Sequence, residues 1–233
     1  MKNTLLTYLS KRMAGEDLSD RDSGIPGPVI TISREVGCNG VKLAHKMAEY
    51  FNEQNIYSEW KVLSKEIFFE SAKELDMEPE KVRNIFKQDN SYAFNDILKA
   101  FGTRRFKSEQ KITRTVRDVI LELAIDGFCI IVGRAAHIIA HDIKNSLHVR
   151  FIAPLEYRIK TIIDNNRYNR EEAINFINKV EKERIAFRKA IGKVSMEHDM
   201  FDLFVNRSSF SDEDTIKLIL HAAERKRIFE DYK

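Results

Sequence analysis

Gly37-Cys38-Asn39-Gly40 is the first stretch of the chain whose residue types and spacing suit a chemical task. It follows a β-branched run, Val29 to Ser33, and precedes Leu43, Ala44, Met47, Ala48 and Phe51, apolar residues at helical spacing. A tight turn from strand into helix aims several backbone N–H groups into one small concavity, and the helix dipole adds partial positive charge there. Phosphate oxygens suit such a turn, and glycine lets the backbone approach them closely. The full GxxxxGK[ST] pattern is absent. No Lys-Ser or Lys-Thr pair follows Gly40, and Lys42 is the nearest cation. An ordinary strand-to-helix turn with two glycines is the competing reading.

Arginines supply the second set of candidates. Arg134 ends the run Ile131-Val132-Gly133-Arg134, which places it at the carboxyl end of an expected strand, where ligands of parallel sheets bind. A planar guanidinium there can grip phosphate through two hydrogen bonds. A surface arginine near a helix start is the alternative, although a cation in that place works against the dipole. Further on, Ala173, Ile177, Val180, Phe187 and Ile191 keep helical spacing with Arg184 in line among them, so Arg184 faces inward and needs a partner. Glu181 offers an ion pair within the helix, and Arg188 lies one turn onward. The other reading of Arg184 is a cationic finger directed at a transferring phosphate. Arg158, Lys160, Arg167 and Arg170 flank a polar turn at Asp164 to Asn169, in the manner of a cationic lid or of a solvated surface turn. Arg104, Arg105 and Lys107, and Lys111, Arg114 and Arg117, are ambiguous in the same way. The six histidines show no metal-ligand spacing.

These residues need a scaffold to bring them together. Residues 1–28 read as a leader and linker, turn-rich from Ser23 to Pro28. Strands are expected at Val29–Ser33, Phe128–Val132, Leu147–Ile152 and around Phe204-Val205. Residues 62–126 carry helical periodicity and no strand. Leu63, Ile67, Phe68 and Ala72 form one stripe, Glu78-Pro79-Glu80 opens a helix, and Val116, Ile120 and Leu123 mark another. A helix is expected from near Arg134 and another with Pro154 early in it, with Leu155, Ile159 and Ile162 as its apolar positions. A long one should run from about Arg170 to Ile191, capped by Asn169 and Glu172 and ended by Gly192, and a last one from about Asp212. Strands alternating with helices give an α/β fold, a parallel sheet with helices on both faces.

Composition narrows the function classes. With 39 basic and 36 acidic residues among 233, the net charge of +3 is too small to drive nonspecific attraction to nucleic acid, so nucleic-acid binding is not expected. Two cysteines indicate neither a disulfide framework nor a cysteine metal site and fit a reducing compartment. No run has the length of a membrane span. The expected location is cytoplasmic.

The ordered motifs resemble a family. Thr31-Ile32-Ser33-Arg34-Glu35-Val36-Gly37-Cys38-Asn39-Gly40 is similar to the opening segment of bacterial cytidylate kinase-like proteins. Ile131-Val132-Gly133-Arg134 and Ala153-Pro154-Leu155-Glu156-Tyr157-Arg158 continue the likeness. Glu181-Lys182-Glu183-Arg184 before Phe187, and Phe201-Asp202-Leu203-Phe204-Val205-Asn206-Arg207-Ser208, complete it in the same order. The resemblance implies a P-loop, nucleoside monophosphate kinase-like three-layer domain over 29–233, with a helical insert at about 62–126 and a lid at about 158–184. It implies ATP and Mg²⁺ as cofactors and phosphoryl transfer to a nucleoside monophosphate such as CMP. By position, Ser33, Arg34, Gly37, Cys38, Asn39, Gly40 and Lys42 would hold ATP, and Arg134, Glu181, Arg184 and Arg188 the acceptor. Arg158 and Arg167 would belong to the lid, and Lys42, Arg158 and Arg184 would act in transfer. Nucleotides are the implied partners, and a homodimer is admissible. The sequence departs from the family pattern at Cys38, Asn39 and Val41, where serine, glycine and arginine are usual, and at Gly40, where true cytidylate kinases carry lysine. A nucleotide-binding regulatory relative with a degenerate loop is the second reading.

Overall fold

The structure, a computed structural model, describes residues 26–64, 109–192 and 197–232. Its centre is a five-stranded sheet made of β1 (Val29–Arg34), β2 (Lys61–Leu63), β3 (Cys129–Val132), β4 (Ser146–Ile152) and β5 (Leu203–Asn206). The order is β2-β3-β1-β4-β5 and every pairing is parallel. β1 therefore lies in the middle, flanked by β3 and β4 at the point where the connections diverge to either side. Ligands of open α/β sheets bind there, beyond the carboxyl ends of the strands.

The helices cover both faces. Leu43, Ala44, Met47, Ala48 and Phe51 of α1 (Gly40–Glu53) and Ile216, Ile219 and Ala223 of α6 (Asp212–Arg225) pack on Ile30, Ile32, Ile130 and Val149. On the other face, Val116, Ile120 and Leu123 of α2 (Glu109–Asp126) and the one-turn α3 (Ala136–Ile139) cover Val29, Cys129 and Ile131. Both faces of the sheet are buried, as the unbroken β-branched strands require.

Across the carboxyl edge lies a helical hairpin, α4 (Leu155–Asn166) and α5 (Arg170–Ile191). It has its own apolar cluster of Ile159, Ile162, Ala173, Ile177 and Val180, which also takes in Val36 from the first loop. The last turns of α5 leave that cluster, and Phe187 and Ile191 join the core under α2. Helix α5 thereby bridges hairpin and sheet. Its start is the expected capping box: Asn169 Oδ1 accepts from the Glu172 N–H at 2.9 Å and Glu172 Oε2 accepts from the Asn169 N–H at 2.7 Å.

Three expectations need correction. Lys61–Leu63 is an edge strand, so the 62–126 stretch does not begin as helix and Leu63 belongs to the sheet. Three residues are too few to show alternation. The helix expected from near Arg134 starts two residues later, at Ala136, because Gly133, Arg134 and Ala135 all hold positive φ (79°, 58° and 55°) before the single turn of α3. Pro154 caps α4 rather than lying inside it, and of the three apolar positions expected there only Ile159 and Ile162 are buried while Leu155, in the first turn, is exposed. The remaining expectations for 65–108, including Ile67, Phe68, Ala72, the Glu78-Pro79-Glu80 helix start and Arg104, Arg105 and Lys107, lie outside the described residues, as do those for 1–25.

Candidate functional site

Beyond the carboxyl ends of β1 and β3 opens a cavity of about 620 Å³, within the range of small-molecule sites. Its floor is the first loop and the start of α1, with Gly37, Asn39, Gly40, Val41 and Lys42. Gly133, Arg134 and Ala135 form one wall and Val180, Glu183, Arg184, Phe187 and Arg188 of α5 another. Sequence-distant arginines and a helix N-terminus thus share one space. Asn39 enters α1 in the left-handed region (φ 49°) and gives no side-chain cap. Its Oδ1 instead accepts from Asn165 Nδ2 at 3.1 Å. The first-turn N–H groups of α1 therefore face the cavity without a side-chain cap, under the positive end of the helix dipole.

Arg34 stands at the centre of the charge. Its side chain leaves the end of β1 between two glycines: a Cβ on Gly40 would lie 3.1 Å from Arg34 Cγ, and one on Gly133 only 2.1 Å from Arg34 Nη1. Burial and then the neighbouring guanidiniums of Arg184 and Arg134 push Arg34 well below the usual arginine range, and Glu181 opposes them. Arg184 is also lowered, by burial first, with Glu181 acting against it and Arg150 and Arg188 adding to it. Like charges gathered in a half-buried space destabilise one another until an anion joins them.

The loop itself is braced by carboxylates. Glu181 Oε1 accepts from the Val36 N–H at 2.6 Å, and Glu35 Oε2 accepts from the Ala153 N–H at 3.0 Å. Arg158 lies 3.6 Å from Glu35 and 3.9 Å from Glu181, and its Nε donates to the Ala153 carbonyl. Arg184 Nη1 donates to the Arg34 carbonyl at 2.8 Å. A Cβ on Gly37 (φ 94°) would meet the Arg158 Cα at 2.7 Å, so this glycine admits helix α4, whose backbone packs directly on the loop.

These contacts sort the residues singled out from the sequence. Ser33, Arg34, Gly37, Asn39, Gly40, Lys42, Arg134, Arg184 and Arg188 all line the cavity. Arg158, Arg167, Glu181 and Cys38 do not. Arg158 and Glu181 are occupied with the loop. Arg167 is exposed and turns left-handed (φ 56°) at the end of α4. Cys38 points into the core at 1% exposure, and burial, with Glu35 beside it, pushes its thiol up to about 11. The pairing of Glu181 with Arg184 inside α5 is replaced by one hydrogen bond each, Glu181 accepting from the Val36 N–H and Arg184 donating to the Arg34 carbonyl. Sequence reading passed over Glu35, Glu183, His45 and Arg150. Arg150 donates to Ser33 Oγ at 2.7 Å, and its signal was present in β4, where His148 and Arg150 put polar side chains on alternate positions of a buried strand.

The protein oxygens that line the cavity and suit Mg²⁺, which takes oxygen ligands, include those of Ser33, Glu35, Asn39, Ser64 and Glu183. Ser33 Oγ already accepts from Arg150, Glu35 from Ala153, and Asn39 from Asn165, while Glu183 is itself engaged. Among the described residues no cluster of three or more His, Cys, Asp or Glu could hold a metal ion.

A central parallel strand ending in a turn under a helix N-terminus, with arginines arriving from the neighbouring strand and a capping helical hairpin, defines a P-loop kinase-like α/β protein. The model of the cytidylate kinase-like family matches residues 29–209, and the chain belongs to that family. Among solved structures it is similar to an uncharacterized protein from Eubacterium ventriosum, at 19% identity and a TM-score of 0.61, over 84% of this chain and 98% of that one. It is also similar to shikimate kinase from Acinetobacter baumannii in complex with shikimate, at 12% identity and a TM-score of 0.46, over 84% and 92%. Shikimate kinase from Aquifex aeolicus follows at 14% and 0.42, over 84% and 96%. No curated protein matches the sequence. No helix of the described residues is long and apolar enough to cross a membrane.

Proposed function

We propose that the protein is a nucleoside monophosphate kinase of the cytidylate type, moving a phosphoryl group from ATP to an acceptor such as CMP. The observation that carries this reading is the convergence of Arg34, Arg134 and Arg184 on the space in front of the α1 N-terminus. Phosphoryl transfer asks little covalent chemistry of a protein. It asks for phosphates held in line and for positive charge where negative charge develops. Backbone N–H groups of Gly40 and Val41 with Lys42 hold the donor phosphates, Arg134 the acceptor phosphate, and Arg184 the group in transfer. Arg34 lies between them, and Arg188 closes the wall behind Arg184. The domain is 29–233, with the α4–α5 hairpin as its lid.

A panel of nucleoside monophosphates incubated with ATP tests this. ADP production that depends on a pyrimidine monophosphate is the expected result, and no acceptor-dependent ADP across the whole panel would overturn it.

One observation favours a second reading, a regulatory relative that binds nucleotide without turnover. Val41 packs toward the core beside Gly40, so the first turn of α1 brings a single cation, Lys42, to the cavity. That reading expects nucleotides to raise the melting temperature while no product forms.

A further inference from the structure

Where β1 gives way to the first loop, two backbone groups are gripped by one helix. Arg184 Nη1 donates to the Arg34 carbonyl at 2.8 Å, and Glu181 Oε1 accepts from the Val36 N–H at 2.6 Å. The two side chains stand one turn apart on α5 and so reach out from the same side of it. Glu35, between the gripped groups, is fixed to β4. Its N–H donates to the Phe151 carbonyl and its Oε2 accepts from the Ala153 N–H, both at 3.0 Å. Arg158 stands 3.6 Å from the Glu35 carboxylate and 3.9 Å from that of Glu181, with its side chain 14% exposed. Val36 is buried in the hairpin cluster. The turn that leads to the Gly40 and Val41 N–H groups starts at Val36, so its aim depends on where the Val36 N–H is held. The family resemblance places Glu181 with the acceptor, yet its carboxylate is turned to the loop and is not part of the cavity lining.

We propose that Glu181 is a positioning residue for the donor phosphates. By holding the Val36 N–H, with Arg158 keeping its carboxylate in place, it sets the course of the loop that meets those phosphates, and it makes no contact with the acceptor. The inference rests on the nucleotide reading above and moves Glu181 from the acceptor side of that site to the donor side.

Calorimetric titration of the full chain tests this with three probes: ATP in MgCl₂, CMP, and inorganic tripolyphosphate. Glu181→Ala deletes the oxygen that holds the loop. It is expected to weaken ATP and tripolyphosphate about tenfold while CMP affinity stays within about twofold. Glu181→Gln keeps an oxygen at the same reach and is expected to bring ATP binding back to within about threefold of the wild type. Glu181→Asp keeps the charge but shortens the reach by one methylene. It is expected to lose affinity as the alanine variant does, and it carries the test should that variant not fold. Loss of CMP binding with ATP spared in Glu181→Ala, or full ATP affinity in Glu181→Asp, would overturn the proposal. Equal losses in Glu181→Gln and Glu181→Ala would also overturn it, because the charge and not the held N–H would then be the cause. Wild-type silence toward both ATP and CMP would overturn the nucleotide reading. Tripolyphosphate then decides the role of Glu181 by the same ranking of variants, and silence there as well would overturn both.

Discussion

Arg207 and Arg34 are both arginines drawn into the fold at the carboxyl end of a strand, Arg34 on the central β1 and Arg207 just past the edge strand β5, and their surroundings are opposite. Arg207 follows β5 with its side chain 4% exposed. Its Nη2 donates to Asp212, its Nη1 to the Thr215 hydroxyl and the Phe210 carbonyl, and its guanidinium lies 5.6 Å from the Phe151 ring centre. The charge is answered locally by one carboxylate, two further oxygens and a π face. Arg34 has the guanidiniums of Arg184, Arg134 and Arg150 for neighbours, and Glu181, the carboxylate that opposes them, is tied to a backbone N–H. A charge matched by its own chain belongs to the architecture. A group of like charges held together by bracing contacts is arranged for something that arrives from outside.

Arg207→Met gives the largest expected effect. It removes the packed guanidinium and its bonds to Asp212 and Thr215, which keep Lys46 and the Ser211 carbonyl as partners, and should cost about 3–4 kcal/mol in denaturant unfolding, with nucleotide affinity of the folded fraction unchanged. An affinity loss as large as the stability loss would erase the contrast. Acid provides the next test. His148 is buried between Thr31 Oγ1 at 2.8 Å and Ser146 Oγ at 3.1 Å, and burial first, with Asp202 opposing and Lys226 adding, lowers it to about 4. The folded state keeps His148 neutral while the unfolded chain protonates it near pH 6.5, so stability falls as pH drops from about 6.5 to about 4, by about 3 kcal/mol in full. His148→Gln should flatten that part of the stability–pH curve, and an unchanged slope would remove His148 from the matched interior.

Gly37→Ala attacks the boundary between the two regions. The new methyl meets the Arg158 backbone at 2.7 Å in a left-handed conformation, which should cost about 2–3 kcal/mol and push the loop from α4. Retained ligand affinity in that variant would show that the brace does not set the loop. Arg184→Met gives the smallest effect and the most diagnostic one. Apo stability should change by less than about 1 kcal/mol, since the lost bond to the Arg34 carbonyl is offset by the departure of a like charge, while affinity for the anionic ligand falls by about 2 kcal/mol, read by thermal shift against titration. A drop in apo stability with intact affinity would place Arg184 with Arg207.

The sheet was legible because its strands are buried on both faces and read as unbroken apolar runs, and α5 because Asn169, Glu172 and Gly192 mark its ends chemically. β2 was not, because three residues at a sheet edge carry no period. Within the site, the type and placement of Arg34, Arg134 and Arg184 could be read from the chain. The assignments of Arg158 and Glu181 could not, since which partner a charged side chain takes depends on packing between α4, α5 and the loop. Glycine misled in an instructive way. Gly37 looked like room for a ligand, and it is room for Arg158, while Gly133 makes room for Arg34.

The two bonds from Glu181 and Arg184 to the first loop also fix how long α5 can be. Between the Asn169 cap and Glu181 each residue turns the helix by about 100°. Inserting or deleting a single residue there would swing both side chains off the loop while leaving the cap intact. Length in this helix is a phase setting, and natural variation in it should come in steps of whole turns.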